Sequence, residues 1–302
     1  MKKIVLCAGL ASIATGVAAQ SGPDMMFEGA IAYGISTDFT DDFEYVTLDF
    51  SLEGQFPGSA GLGYFLDYES LAESSDLGDN IDALYYGLTY DVGPGTLQFG
   101  RPKSVITDFT DGPRYGQDPS FRIFLSSFTG SILELLTLDE EDIYGLRYDG
   151  NYGQFNVGLS LHYSQSADVT LSSAALSYDA GNFTPFVLVE TLSEFGPGEE
   201  TRFSLGTKYA DGPFSGLISY TMNAAFDPDL SSLLLTGEYQ VNDNFEAGLT
   251  ILQIDGGGGA EEIYGIGGQY TFDVGAYVRA DVTAFSSGGD DPIYNFEVGY
   301  EF

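Results

Sequence analysis

The sequence predicts an all-β fold, a transmembrane antiparallel β-barrel of about sixteen strands, with one long loop folded inward between the fifth and sixth strands. Three observations carry this. Short runs of alternating apolar and small or polar residues recur along most of the chain, broken by Gly, Asp, Asn and Pro. The composition joins 21 Tyr, 23 Phe and 40 Gly, yet no stretch after the first residues is apolar enough for a membrane helix. Across each alternation the bulky residues share one face, and the other face is mostly Gly, Ala, Ser, Thr, Asn or a carboxylate. That suits a wet lumen inside a lipid-facing wall; a soluble barrel would place its bulk inside.

The chain opens with a processing signal. Lys2 and Lys3 precede an apolar stretch, Ile4 to Val17, and Val17-Ala18-Ala19 is a small-residue cleavage site. The expected organisation is a cleaved signal peptide over 1–19 and one barrel domain over 20–302. Cys7, the one cysteine, lies in that peptide, so disulfides, thiol catalysis and sulfur-bound metals are excluded from the mature chain. Loss of Lys2 and Lys3 takes the net charge from −35 to −37. Such a field excludes nucleic-acid phosphate as a partner and draws cations to any opening; adaptation to a salty habitat would produce the same sign.

The strands follow at once. Phe27, Gly29, Ile31, Tyr33 and Ile35 share one face, opposite Glu28, Ala30, Ala32 and Gly34. Val46 to Leu52 and Leu62 to Tyr68 alternate in the same way. Beyond the long loop, Tyr144, Leu146 and Tyr148 flank Gly145 and Arg147. Val157, Leu159 and Leu161 oppose Asn156, Gly158, Ser160 and His162. Phe203, Leu205 and Tyr209 oppose Arg202, Ser204, Gly206 and Lys208. The runs Tyr264–Phe272 and Tyr294–Phe302 repeat the theme, with aromatics gathered at strand ends as girdles. Tight turns are expected at Asp91–Gly95, Asp149–Asn151, Asp179–Asn182, Ala210–Pro213, Val241–Asn244 and Asp273–Gly275. Longer connections are expected at Tyr68–Asn80, Leu192–Glu200, Asn223–Ser231, Asp255–Glu261 and Ser286–Pro292. An even strand number with short turns on one side and long loops on the other places both termini in the periplasm.

The alternation stops between Ser104 and Glu141. Asp118-Pro119 reads as an N-cap followed by Pro at the first helical position, with Phe121, Phe124, Leu125 and Phe128 on one face. That face needs burial, which favours a loop narrowing the lumen over an ordinary external loop or plug.

Gly95-Thr-Leu-Gln-Phe-Gly100-Arg101 resembles the Gly-x-Leu-x-x-Gly-Arg strand leading into the constriction loop of porins. Together with the leader and the terminal Tyr300-Glu301-Phe302, it makes the mature chain similar to the Gram-negative general-diffusion porins of the Rhodobacter type, from α-proteobacteria. The resemblance implies a bacterial outer-membrane homotrimer, in contact with lipid and lipopolysaccharide, passing small hydrophilic solutes and ions.

Parity turns Arg147, Arg202, Lys208 and Arg279 inward. Arg101 would face outward with Leu97 and Phe99 unless a bulge at Gly100 turns it; the resemblance also places it at the constriction. The expected constriction therefore has Arg101, Lys103, Arg147 and Arg202 as its basic side and Asp108, Asp111 and Asp118 as its acidic side, giving a transverse field. Lys208 and Arg279 read as charges neutralising neighbouring acids. Asp139, Glu140 and Glu141 are further candidates for the acidic side or form the loop's exit into solvent, while Arg114 and Arg122 could pin the loop through carboxylates. No cofactor is expected; calcium is the one ion the crowded carboxylates could take, although no loop has a dedicated calcium spacing.

The resulting reading is a passive, weakly cation-selective channel and not an enzyme. A substrate-specific channel would need an aromatic track, and Tyr45, Phe65 and Tyr277 are inward without forming an evident one. A barrel enzyme would draw on His162 and Ser160, but the sequence supplies no triad. A structural or adhesive barrel would conduct nothing.

Overall fold

The computed structural model describes residues 25–37, 42–73, 81–110, 112–113, 115–116, 128–138, 142–193, 200–256, 259–286 and 291–302. The expected leader over 1–19, Asp111, Arg114, Asp118, Pro119, Phe121, Arg122, Phe124, Leu125 and Asp139 to Glu141 lie outside them.

Sixteen antiparallel strands close on themselves. They are β1 Met25–Thr37, β2 Asp42–Gln55, β3 Leu62–Glu73, β4 Ile81–Asp91, β5 Gly95–Arg101, β6 Ile143–Tyr152, β7 Phe155–Ser164 and β8 Val169–Tyr178. The second half comprises β9 Phe183–Ser193, β10 Glu200–Asp211, β11 Phe214–Met222, β12 Ser231–Asn242, β13 Phe245–Gly256, β14 Gly259–Thr271, β15 Ala276–Phe285 and β16 Ile293–Glu301. Each strand pairs with its sequence neighbours, and β1 pairs with β16, so no edge is left open.

The outer face is apolar, as the alternation predicts. Ile35, Leu88, Phe99, Leu159, Leu205, Ile218, Leu249 and Phe296 are all exposed on it. Monomeric soluble proteins rarely expose a contiguous apolar band of this kind. Direct cross-strand rings beside the short turns, Phe155 with Tyr178, Phe183 with Tyr209 and Phe214 with Tyr239, stand 4.5 to 5.0 Å apart. Exposed Tyr144, Tyr163, Tyr220, Tyr264 and Tyr294 mark the opposite end. Among the described residues no helix is long and apolar enough to cross a membrane.

Several turn boundaries differ from expectation. Asp149-Gly150-Asn151 is not a turn: β6 continues to Tyr152, and the reversal is made at Gly153-Gln154, where Gly153 takes φ +76°. Gly150 instead sits within the strand, where a Cβ would run into the Tyr148 ring. At Tyr68–Asn80 β3 runs on to Glu73, and at Asp255–Glu261 only 257–258 separate β13 from β14.

The inner face is less uniformly small than predicted. Phe186, Leu188, Leu217, Leu234 and Leu252 point inward and are buried. Inward rings also lie over glycines directly opposite on the neighbouring strand: Tyr45 over Gly34, Phe65 over Gly87, His162 over Gly145, Phe186 over Gly206 and Tyr277 over Gly299. A Cβ at any of these glycines would meet the ring, so the pairing lets a bulky residue lie flat on the wall and leave the lumen clear.

Candidate functional site in the barrel interior

The long connection between β5 and β6 contains α1, Val105–Thr110, and α2, Ile132–Leu138. Each begins at a serine. The Ser104 hydroxyl accepts from the Ile106 N–H at 3.2 Å, and the Ser131 hydroxyl from the Leu133 N–H at 3.2 Å. Both are N-cap arrangements, which satisfy donors that a helix's first turn leaves free.

α1 lies inside the barrel. Val105 and Ile106 are 0 % and 2 % exposed and pack with Ala175, Phe186, Leu188, Leu217 and Leu252 of the inner wall. Burying two such side chains contributes about 1.5–3 kcal/mol each. The inward apolar patch that departs from the predicted lumen pattern is therefore the bed of the loop. Leu133 of α2 packs with Ile143, Val169, Leu171, Leu192 and Phe226. The Thr107 hydroxyl joins the two helices by donating to Glu134 at 3.1 Å.

Further along, the loop reaches the far wall. Gly116 sits backbone to backbone against Gly265, and the Thr283 hydroxyl donates to the Gly116 carbonyl. Tyr115 lies over Gly248 and Gly267, donates to Glu246 at 2.8 Å and has the Arg279 guanidinium 5.0 Å from its ring centroid. Burial, followed by the Glu246 hydrogen bond and charge, raises its hydroxyl pKa, so it stays a donor. The Ser232 hydroxyl then donates to the Phe128 carbonyl at 2.8 Å, on β12.

The expected basic residues are all engaged. Arg147 pairs with Asp108 of α1 and, at 2.7 Å, with Asp149 of its own strand; it also donates to the carbonyls of Lys103 and Ser104, each at 3.4 Å. Lys103 pairs with Glu69 at 2.6 Å and stands 5.2 Å from the centroid of the Tyr85 ring. Arg202, 2 % exposed, pairs with Glu190 at 2.6 Å and donates to the Gly130 carbonyl. Arg101 donates to the Thr137 carbonyl of α2 at 3.1 Å, which fixes it inward. No bulge turns it: the β4–β5 register runs unbroken to Tyr86–Arg101, and Gly100 makes the bend at φ +132°. Lys208 donates to the Asp108 carbonyl at 2.6 Å, and Arg279 pairs with Asp281 at 3.1 Å.

Between the loop and the β1–β6 wall lies a cavity of about 870 Å³. Its charged lining consists of Glu53, Asp67, Asp91, Asp108 and Asp149 against Lys103 and Arg147. Asp108, Lys103 and Arg147 are thus brought together on it, whereas Arg101 and Arg202 are not part of the lining. Asp111 and Asp118 lie outside the described residues.

Lys103 belongs to the loop. Burial lowers its pKa, but the charge and hydrogen bond of Glu69 outweigh that, helped by Asp67 and Glu134, and the net value is raised. A lysine raised above its unfolded value of about 10.4 stabilises the fold at every lower pH and loses that contribution as pH rises through the higher folded value. Lys103→Met is accordingly expected to shift the reversal potential equally at about pH 6 and about pH 9, both below that range. A shift that shrinks between the two would show that Lys103 titrates earlier.

His162 and Ser160 do not form a nucleophile and base. The His162 Nε2 lies 2.9 Å from the Pro102 carbonyl, and the Ser160 hydroxyl accepts from the Val105 N–H at 3.4 Å. Both side chains hold the loop's root. Tyr45 and Tyr277 donate to Glu297 at 3.1 and 2.8 Å, so with Phe65 they lie buried on the wall and make no exposed track. No group of three or more His, Cys, Asp or Glu that could hold a metal occurs among the described residues.

The roles of Glu69, Glu190, Tyr115 and the Gly265–Gly267 socket emerge only in the structure. The available signal was glycine at alternate inward positions of one strand, Gly265 and Gly267, which marks a close approach.

No protein-family model matches the sequence, and no curated protein sequence matches it. Solved structures do. A three-substitution variant of the Rh. blastica porin superposes with a TM-score of 0.64 at 14 % identity, covering 92 % of this chain and all of that one. A two-substitution variant gives 0.65 at 15 % with the same coverage. A triple mutant of Rhodopseudomonas blastica porin gives 0.64 at 15 %, again over 92 % and 100 %. These superpositions establish a shared porin fold, and at this identity they establish the fold alone.

Proposed function

We propose that the protein is an outer-membrane porin: a water-filled, weakly cation-selective channel for ions and small hydrophilic solutes. The observation that carries this reading is the 870 Å³ cavity inside a closed, apolar-faced barrel, lined by five carboxylates and two cations. Each of those cations is already paired with a carboxylate, so the excess field at the aperture is negative and favours cations. The loop over 104–141 is the constriction. Asp108, with Asp111 and Asp118, supplies its acidic side, and Lys103 and Arg147, the latter in contact with Asp108, supply its basic groups. Arg101 and Arg202 belong to the same site as braces of the loop.

The apolar outer band and two aromatic girdles support a membrane position, and the porin fold supports the bacterial outer membrane with lipid and lipopolysaccharide around it. The same reading includes a homotrimer, removal of 1–19 with the barrel over 20–302, no enzymatic activity, and no nucleic-acid partner. Calcium has no support beyond the acidity of the lining.

The test is the reversal potential of purified protein in a planar bilayer across a salt gradient. A potential favouring cations, with conductance appearing in groups of three steps, is expected. An anion preference would overturn the assignment of the field to the carboxylates, and absence of conductance would overturn the channel itself.

A further inference from the structure

Glu190 lies on β9, facing inward, and is 1 % exposed. A carboxylate this deep in a wall must be satisfied by partners, because burial of an unpaired charge is strongly unfavourable. Three of its partners are hydroxyls converging on one oxygen: Ser131 at 2.6 Å, Ser173 at 3.1 Å and Ser104 at 3.5 Å. The other oxygen pairs with Arg202 at 2.6 Å, and that guanidinium also donates to the Gly130 carbonyl and stands 5.2 Å from the Phe226 ring centroid.

Ser104 and Ser131 are the N-cap residues of α1 and α2, the points where the chain leaves the wall and returns to it. One buried carboxylate therefore holds both ends of the excursion over 105–130. The Thr107–Glu134 hydrogen bond also joins the two helices, but it is part-buried and lies within the loop, whereas Glu190 ties both helix starts to the wall. Arg147 and Lys208 on Asp108, and the glycine socket on Tyr115 and Gly116, act on single points.

We infer that Glu190, with Arg202, is the latch that closes the neck of the constriction loop and thereby sets the working bore of the channel. It is a positioning residue, since it lies behind the loop and touches no solute. The latch holds the two helix starts together, so the loop keeps one shape against its bed. When it is released, the neck opens and the loop samples wider arrangements while the barrel ladder stays intact.

This inference rests on the channel reading, so the experiment has one arm that needs conduction and one that does not. The principal variant is the double substitution Ser104→Ala and Ser131→Ala, which leaves the buried Glu190–Arg202 pair whole; Glu190→Gln, which keeps an acceptor oxygen for the serines but removes the charge from Arg202, is the second. In bilayers the double variant is expected to show a larger conductance step, added open-channel noise and a raised size cut-off for neutral sugars, with Glu190→Gln intermediate. Limited proteolysis of folded protein is expected to cut within 105–130 faster in both variants, with the barrel's heat-dependent gel mobility unchanged. Wild-type conductance, noise and cleavage rate in the double variant would overturn the latch. Faster cleavage from a protein that conducts in no form would keep the latch and overturn the channel.

Discussion

Arg147→Gln is expected to increase cation preference and to lower the stability of the folded barrel together. The Arg147 side chain is 8 % exposed and ties α1 through Asp108, its own strand through Asp149, and the loop's root through two carbonyls. Removing one partner of a fully buried pair costs about 3–5 kcal/mol. Here the orphaned carboxylates are 51 % and 37 % exposed, so water takes over much of the lost interaction. A cost nearer 1–3 kcal/mol follows, most of it from the unpaired carbonyls and the lost packing. Electrically, the cavity keeps its five carboxylates and loses one of its two cations. The reversal potential should therefore move further toward the cation limit, and Asp108→Asn should move it back. Unfolding in urea measures the first effect and bilayer recordings the second. An unchanged potential in Arg147→Gln would mean that the field at the aperture is set by groups other than this lining.

Gly265→Val is expected to enlarge the pore more than any substitution of a charged residue. A Cβ at Gly265 would overlap the Tyr115 carbonyl and the Gly116 backbone, neither of which can yield without moving the loop. Overpacking of this kind costs about 1–3 kcal/mol wherever it is absorbed. The wall is held by ladders to β13 and β15 on both sides, whereas the loop's foot is held by the Thr283 and Glu246 hydrogen bonds and the Tyr115 ring contacts. The foot gives way first. Conductance and sugar cut-off should both rise, and Tyr115→Ala should rise less because it leaves the Gly116 seat intact. A Gly265→Val channel of wild-type bore would show that the loop does not narrow the lumen at this point.

The architecture was legible because the outer face has a strict rule. A lipid-facing residue must be apolar, so the period of two survives in nearly every strand, from Tyr33 and Ile35 to Phe296 and Val298. The inner face has no such rule, and there the sequence was ambiguous. In Leu233-Leu234-Leu235 all three residues look alike, but only Leu234 turns inward, into the bed of α1. Parity gives the inward face of Arg147 and Arg202, but not that of Arg101, which the bend at Gly100 turns in. It gives no partners, since pairing across the interior depends on how far the loop travels. Asp108 was expected to act across the bore from Arg147, and the two are in contact. Glu190 is not legible in the sequence, because a single carboxylate on a strand carries no spacing signal until the two capping serines are brought to it.

The seam between β1 and β16 differs from every other junction in the ring. Ala30 pairs with Glu301, and Gly29 and Phe302 exchange hydrogen bonds of 2.9 Å in both directions. All other ladders join neighbours in sequence, and all but β5–β6, which spans the long loop, can form as local hairpins. The seam alone must bring together segments some 270 residues apart, an entropic cost on the order of 5 kcal/mol before any constant term. Until it forms, the sheet is an open ribbon with two unsatisfied edges, each able to recruit another copy. Assembly of this protein is therefore a contest between intramolecular closure and edge-to-edge polymerisation, in which dilution favours the ring and shortening the last strand favours the polymer.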